Sequence, residues 1–132
     1  MTIVLDTQIF VRWFDAPRQL SKSQLRALNG IGPEKPAFIA DITLWEVATL
    51  VSHGRLRPRV PLREWLETAL ERPHLWVQPI TAAVAAEVAA LGDALHRDPA
   101  DRLIVATARV LGASLLTNDE RISEAGLVEI VN

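Results

Sequence analysis

The first apolar run, Ile3-Val4-Leu5, stops at a carboxylate, Asp6. A short run without polar alternation, mostly β-branched, predicts a strand buried on both faces, as in a parallel sheet. At Thr7 the period changes. Phe10, Trp13 and Phe14 share one stripe, which predicts a helix over 7–15 that Pro17 ends. A second helix is predicted from a Ser21 cap to Leu28, before Asn29-Gly30-Ile31-Gly32-Pro33 breaks the chain. A strand follows at Ala37–Ala40. Asp41 then reads as the N-cap of a helix carrying Leu44, Trp45, Val47, Ala48 and Val51, with Gly54 just past its end.

Arg55, Arg57 and Arg59, interleaved with Pro58 and Pro61, form a basic loop. The next helix, 61–71, has Pro61 at its first position and an apolar face of Leu62, Trp65, Leu66, Ala69 and Leu70. Residues 75–80 form a strand near a sheet edge, because Pro79 cannot donate to a ladder. Thr81 caps an alanine-rich helix over 82–91. Asp98-Pro99-Ala100-Asp101 opens a helix to Leu111 that Gly112 ends. Residues 113–117 read as a strand ending at Asn118-Asp119, followed by a helical turn near 121–124 and a last strand at 128–131. Strands separated by helical crossovers of about a dozen residues pair in parallel. The expected architecture is α/β, with a parallel sheet covered on both faces.

A length of 132 residues suits one domain, residues 1–132. The net charge of −2 gives no general attraction to nucleic acid or anionic membrane, so a polyanion needs a local basic patch or a bound cation. The absence of cysteine removes disulfides, thiolate metal sites and a cysteine nucleophile, and fits a cytoplasmic location. The first residues have no basic n-region, and no stretch has the ~20 apolar residues that span a bilayer.

Four acids are expected to meet. Asp6 ends one strand and Asp119 lies just past another. Asp101 sits in the first turn of the helix feeding that second strand, and Glu46 in the second turn of its own helix. Each is near a strand C-terminus or a helix N-terminus, the edge where open parallel sheets bind ligands. Two unit charges about 4 Å apart repel by ~4 kcal/mol at an effective dielectric of 20. Such a set raises its own pKa values or draws in a cation. Oxygen ligands without His or Cys favour Mg²⁺, or Mn²⁺ in its place, and one or two such ions suit phosphodiester hydrolysis.

Leu5-Asp6-Thr7, Trp45-Glu46-Val47-Ala48, the run from Asp98 to Ala108, and Leu116-Thr117-Asn118-Asp119 resemble the four signature blocks of PIN-domain ribonucleases, in order and spacing. The branch they most resemble is the VapC toxins of toxin–antitoxin pairs. That resemblance implies a three-layer α/β/α fold with a central parallel sheet of about five short strands. It implies a Mg²⁺-dependent endoribonuclease in which Asp6, Glu46, Asp101 and Asp119 bind metal. Thr117 would be a supporting hydroxyl and Asp98 a secondary acid. It also implies a homodimer silenced by a VapB-type antitoxin that lies along the toxin and enters its site. Gln8 departs from the Ser, Asn or His of many relatives, which touches substrate contacts rather than metal ligands. The antitoxin is expected to dock on a groove of Phe10, Trp13, Phe14 and Leu25 beside the helix that contains Trp65.

Each acid also has a bland reading. Asp6 and Asp98 are ordinary N-caps, Asp101 complements a helix dipole, Glu46 is a solvent-facing helix residue and Asp119 begins a turn. Four such accidents compete poorly with one shared site. His53, His74 and His96 read as surface or loop residues, the four tryptophans as mostly core, and the three arginines as a solvated loop or a phosphate contact. A haloacid-dehalogenase-like phosphatase would need an acid where Gln8 stands, and a receiver domain would need one near Gln78. The remaining alternative is an inactive PIN-like RNA-binding or assembly module.

Overall fold

The computed structural model describes residues 2–132. Its sheet takes strands from the whole length of the chain: β1 (Ile3–Leu5), β2 (Ala37–Ala40), β3 (Leu75–Gln78), β4 (Ser114–Leu116) and β5 (Ile130–Val131). The order across the sheet is β3-β2-β1-β4-β5 and every pair is parallel. The helices are α1 (Thr7–Asp15), α2 (Lys22–Asn29), α3 (Ile42–Ser52), α4 (Leu62–Leu70), α5 (Ala82–Leu91), α6 (Pro99–Leu111) and α7 (Glu120–Ala125). They cover both faces, giving the expected α/β/α layering. No helix among the described residues is long and apolar enough to cross a membrane.

Side-chain alternation along β1 divides the core. Ile3 and Leu5 point to one layer with Ile9, Phe10, Val47 and Trp65, while Val4 points to the other with Val84, Ile104 and Val105. Trp65 dominates the first layer. Its ring meets Phe10 and Phe14 edge-on at 5.9 and 5.2 Å, and its indole N–H donates to Asp15. Such aromatic pairs contribute about 0.5–1.5 kcal/mol beyond area burial. Arg72 lies 4.0 Å over the Trp13 ring and donates to the Trp13 carbonyl. In the second layer the small side chains of α5 allow close packing on α6, and Glu87 of α5 pairs with Arg109 of α6.

This packing overturns the expected aromatic groove. Trp13 and Trp65 are only 8% and 2% exposed and Phe10 is buried, so they offer a partner no surface. The exposed tryptophans are instead Trp45 on α3 and Trp76 on edge strand β3. Asp41 also departs from its expected role. It stands at the N-cap position of α3 but makes no side-chain cap bond, since its Oδ2 accepts from the Ile80 amide. β4 and β5 are shorter than their apolar runs. The Ala113 amide, for example, returns to the Ala108 carbonyl to finish α6 instead of joining the sheet.

Candidate functional site

β1 and β4 lie side by side, and the Asp6 amide donates to the Leu116 carbonyl at 2.9 Å. Both strands therefore deliver their following residues to one edge. Asp6 is nearly buried there, and both its oxygens are occupied. Oδ1 accepts from the Thr7 amide at 2.8 Å and Oδ2 from the Thr117 hydroxyl at 2.6 Å. Thr117 Oγ1 also accepts from the Asp119 amide at 3.0 Å, so one hydroxyl fixes two of the acids. Thr7 does similar work for α3: its hydroxyl donates to Glu46 Oε1 at 2.5 Å and stands 3.1 Å from Thr43 Oγ1.

Asp98 caps α6 by accepting from the Asp101 amide at 3.0 Å, with Pro99 at the first helical position. Asp101 then faces the cleft, where its Oδ2 lies 2.6 Å from His96 Nε2. Asp119 caps α7, accepting from the amides of Arg121 and Ile122 at 2.9 and 3.4 Å. The Arg121 guanidinium reaches both Asp119 and Asp101, at 3.4 and 3.7 Å. Gln24, fully buried, donates to Asn118 at 2.9 Å and steadies the turn between Thr117 and Asp119.

Asp6, Glu46, Asp98, Asp101 and Asp119 all line one open cleft of about 530 Å³, with Arg12, Arg55 and Arg121 at its margins. Beside the cleft, atoms of His96, Asp101 and Asp119 all lie within 4.8 Å of one another, a set that does not include Asp6 or Glu46. His96 is a loop residue, as its sequence position suggests, but a half-buried one that reaches Asp101. His96 stands two residues before the Asp98 cap, so the chain entering α6 crosses the first turn that carries Asp101. Nδ1 of His96 is buried and has no hydrogen-bond partner among the described residues.

The electrostatics set the acids apart. Burial pushes the Asp6 carboxyl up from its ordinary value; the Thr117 and Thr7 hydrogen bonds oppose this, and the charges of Asp101 and Asp119 add to it. Glu46 is raised by burial, against its Thr7 hydrogen bond, with Asp6, Asp101 and Asp98 adding to the rise. Asp101 is raised by burial, which the His96 hydrogen bond opposes and Asp98 and Asp119 reinforce. Asp119 goes the other way: the bonds and charge of Arg121, with the Ile122 amide, outweigh its burial and hold it low. Carboxylates that destabilise one another's charge, in a solvent-open cleft, fit a hard divalent cation. The single imidazole lies on Asp101, as an outer partner that orients a ligand does.

Residues 3–127 match the PIN domain family. The chain is 35% identical over 121 residues to Ribonuclease VapC22 of Mycobacterium tuberculosis, covering 92% of this chain and 89% of that protein. Among solved structures, VapBC2 from Rickettsia felis bound to a promoter DNA fragment superposes with a TM-score of 0.76 at 20% identity, over 100% of this chain and 98% of that one. VapBC-1 from nontypeable Haemophilus influenzae gives 0.75 at 16% identity, over 100% and 98%. M. tuberculosis VapC20, a toxin that cleaves the sarcin–ricin loop, gives 0.65 at 20%, over 96% and 97%. At these identities the structural likeness concerns the fold alone.

Proposed function

The chain belongs to the PIN domain family, in its VapC branch, and from that premise we propose that it is a Mg²⁺-dependent endoribonuclease toxin neutralised by a cognate VapB-type antitoxin. The observation that carries this reading is the convergence of Asp6, Glu46, Asp101 and Asp119 on one cleft, with raised pKa values in three of them. These four would hold Mg²⁺, or Mn²⁺ in its place, with Asp98 as a secondary acid at the rim. When bound, a divalent cation supplies charge neutralisation at the phosphodiester and a more acidic water.

The chain's own side chains do the rest. Thr117 fixes Asp6 and Thr7 fixes Glu46, so neither carboxylate has to be ordered when substrate arrives. Glu46 remains partly open to solvent with a raised proton affinity, which suits it to accept a proton from an attacking water. Arg12, Arg55 and Arg121 border the cleft and supply the positive charge that the chain as a whole lacks. The antitoxin part of the reading draws on VapBC2 and VapBC-1 and on a toxin–antitoxin complex from Klebsiella pneumoniae, which share the fold. A homodimer and a cytoplasmic location complete the proposal.

The test is RNA cleavage by the purified chain with millimolar Mg²⁺, with excess EDTA, and with Asp6→Asn. Cleavage only in the first condition supports the reading. Binding without cleavage in Mg²⁺ would mark an inactive RNA-binding module instead. The same cation should raise the melting temperature, since ligand at 100 times its Kd contributes about 2.7 kcal/mol.

A further inference from the structure

Asp101 differs from the other acids of the cleft in what holds it. Asp6 and Glu46 are fixed by Thr117 and Thr7, just past the ends of β4 and β1, and Asp119 by the amides of its own helix. The closest side-chain partner of Asp101 is His96, at 2.6 Å, and His96 lies in the connection between α5 and α6. An ionised carboxylate has no proton to give, so Nε2 of His96 is the donor. Nδ1 is buried with no hydrogen-bond partner among the described residues. No bond at that second nitrogen holds the ring, so its position depends on the backbone that carries it.

That backbone is held by Arg102. Asp101 and Arg102 are adjacent on α6, and successive helical positions are turned by about 100°. Asp101 faces the cleft while the Arg102 side chain lies against the connection. Its guanidinium donates to the carbonyls of Leu95 at 2.9 Å, His96 at 3.3 Å and Val88 at 3.2 Å. The Val88 carbonyl is one of the last of α5, and the Gly92 amide that would close the helix on it turns to Ala89 instead. The Leu95 and His96 carbonyls flank the His96 Cα. Holding both fixes the peptide planes on either side of it, and with them the direction in which the imidazole leaves the chain. Leu95, buried in the second layer, sets the connection down on the core but does not aim the ring that follows. A planar fork of N–H donors suits several carbonyls at once in a way that a lysine ammonium does not.

We propose that Arg102 is a positioning residue of the cleft: by fixing both peptide planes around His96 it keeps the imidazole on Asp101, and so keeps that carboxylate in one orientation for a divalent cation. The inference rests on the proposed reading of Asp101 as a metal ligand and adds two residues that act through it.

The experiment is a titration of the purified chain with Mn²⁺ alone, without RNA, following the free ion by electron paramagnetic resonance. His96→Ala and Arg102→Met should each weaken Mn²⁺ binding about 10–100-fold, as lost outer-shell partners do. His96→Gln should recover most of the affinity, because its amide N–H can replace Nε2. The double variant His96→Ala/Arg102→Met should lose little more than either single one, since both changes act on one contact. Arg97→Ala, in the same connection but exposed and paired with Asp93, should leave the affinity unchanged. If Arg102→Met does not fold, Arg102→Lys takes its place in the cycle and should weaken binding in the same direction.

A merely structural Arg102 would give another pattern: lower stability in urea with Mn²⁺ affinity unchanged, or losses that add in the double variant. Either result overturns the inference and leaves the ribonuclease reading intact, as does an unchanged affinity in His96→Ala. A wild-type chain that binds no Mn²⁺ would bring down the metal-dependent reading itself, and this inference with it.

Discussion

Asp6 and Asp119 each follow one of two neighbouring parallel strands, β1 and β4, and each stands at the N-cap of the next helix. Their places in the chain correspond, each between a strand and the next helix. In the folded chain Asp119 accepts from the second and third amides of α7, as a cap does, and its carboxyl is held low. Asp6 accepts only from the first amide of α1, and its other oxygen turns across the sheet to Thr117. Burial then raises it. The cap role that the sequence suggested for Asp6 describes Asp119, read as the start of a turn, better than Asp6 itself. One carboxylate is engaged mainly by its helix and the other mainly by the cleft, so the charge matters differently at the two ends of one site.

Substitution can sharpen that contrast. The largest effect is expected for Asp6→Asn. On the proposed reading it should reduce cleavage by more than the roughly 10–100-fold typical of lost outer-shell partners. Thermal unfolding in EDTA should show unchanged or higher stability, because a buried, repelled charge has gone. Retained cleavage would remove Asp6 from the ligand set. Thr117→Val keeps the shape but deletes the hydroxyl that bonds Asp6 and Asp119. It should weaken Mg²⁺ binding about 10–100-fold, read by calorimetric titration, and lower stability by ~1–3 kcal/mol in urea unfolding. An unchanged Mg²⁺ affinity would show that Asp6 orients itself.

At the other end, Asp119→Ala should destabilise the metal-free chain by ~1 kcal/mol while Asp119→Asn does not, since asparagine caps about as well. Equal losses in both would show that charge, not capping, dominates there too.

The smallest effect is on pH. Asp6, Glu46 and Asp101 have folded-state values above the ordinary 3.8 for Asp and 4.5 for Glu. The folded state therefore holds protons that the unfolded chain has released. Their contribution to stability is fully present below those ordinary values and is lost as pH rises through the raised ones. Asp119 has the opposite sign: its contribution is present above 3.8 and lost as pH falls through its lowered value. Melting temperatures in EDTA between pH 4 and pH 8 should fall with rising pH, and Mg²⁺ should reverse the fall by neutralising the same charges. A metal-free melting temperature that climbs across that range would show that the cleft does not strain its acids.

Much of the fold could be read from periodicity, because it is local. The bounds of α1 and β2 come out as expected, and Thr81, Ser21 and Asp98 all cap. What failed was decided at long range. Asp41 looks like a cap until the Ile80 amide, 39 residues away, takes its carboxylate. The stripe of Phe10, Trp13 and Phe14 specifies an apolar face but not what covers it, and Trp65 and Arg72 arrive from more than fifty residues on. The four acids were legible as a group because strand ends and helix starts of a parallel sheet share an edge. His96 was not, because its place depends on how the loop before Asp98 folds back over α6.

The Thr117–Asp6 hydrogen bond joins residues 111 positions apart. During synthesis Asp6 leaves the ribosome long before Thr117 and Asp119 exist, so an emerging N-terminal half carries only the first two carboxylates and no β4 to hold them. Domains complete their folding as units once the chain is available. The cleft of such a chain stays incomplete until its last third has emerged, and any activity that needs all four carboxylates waits for that moment.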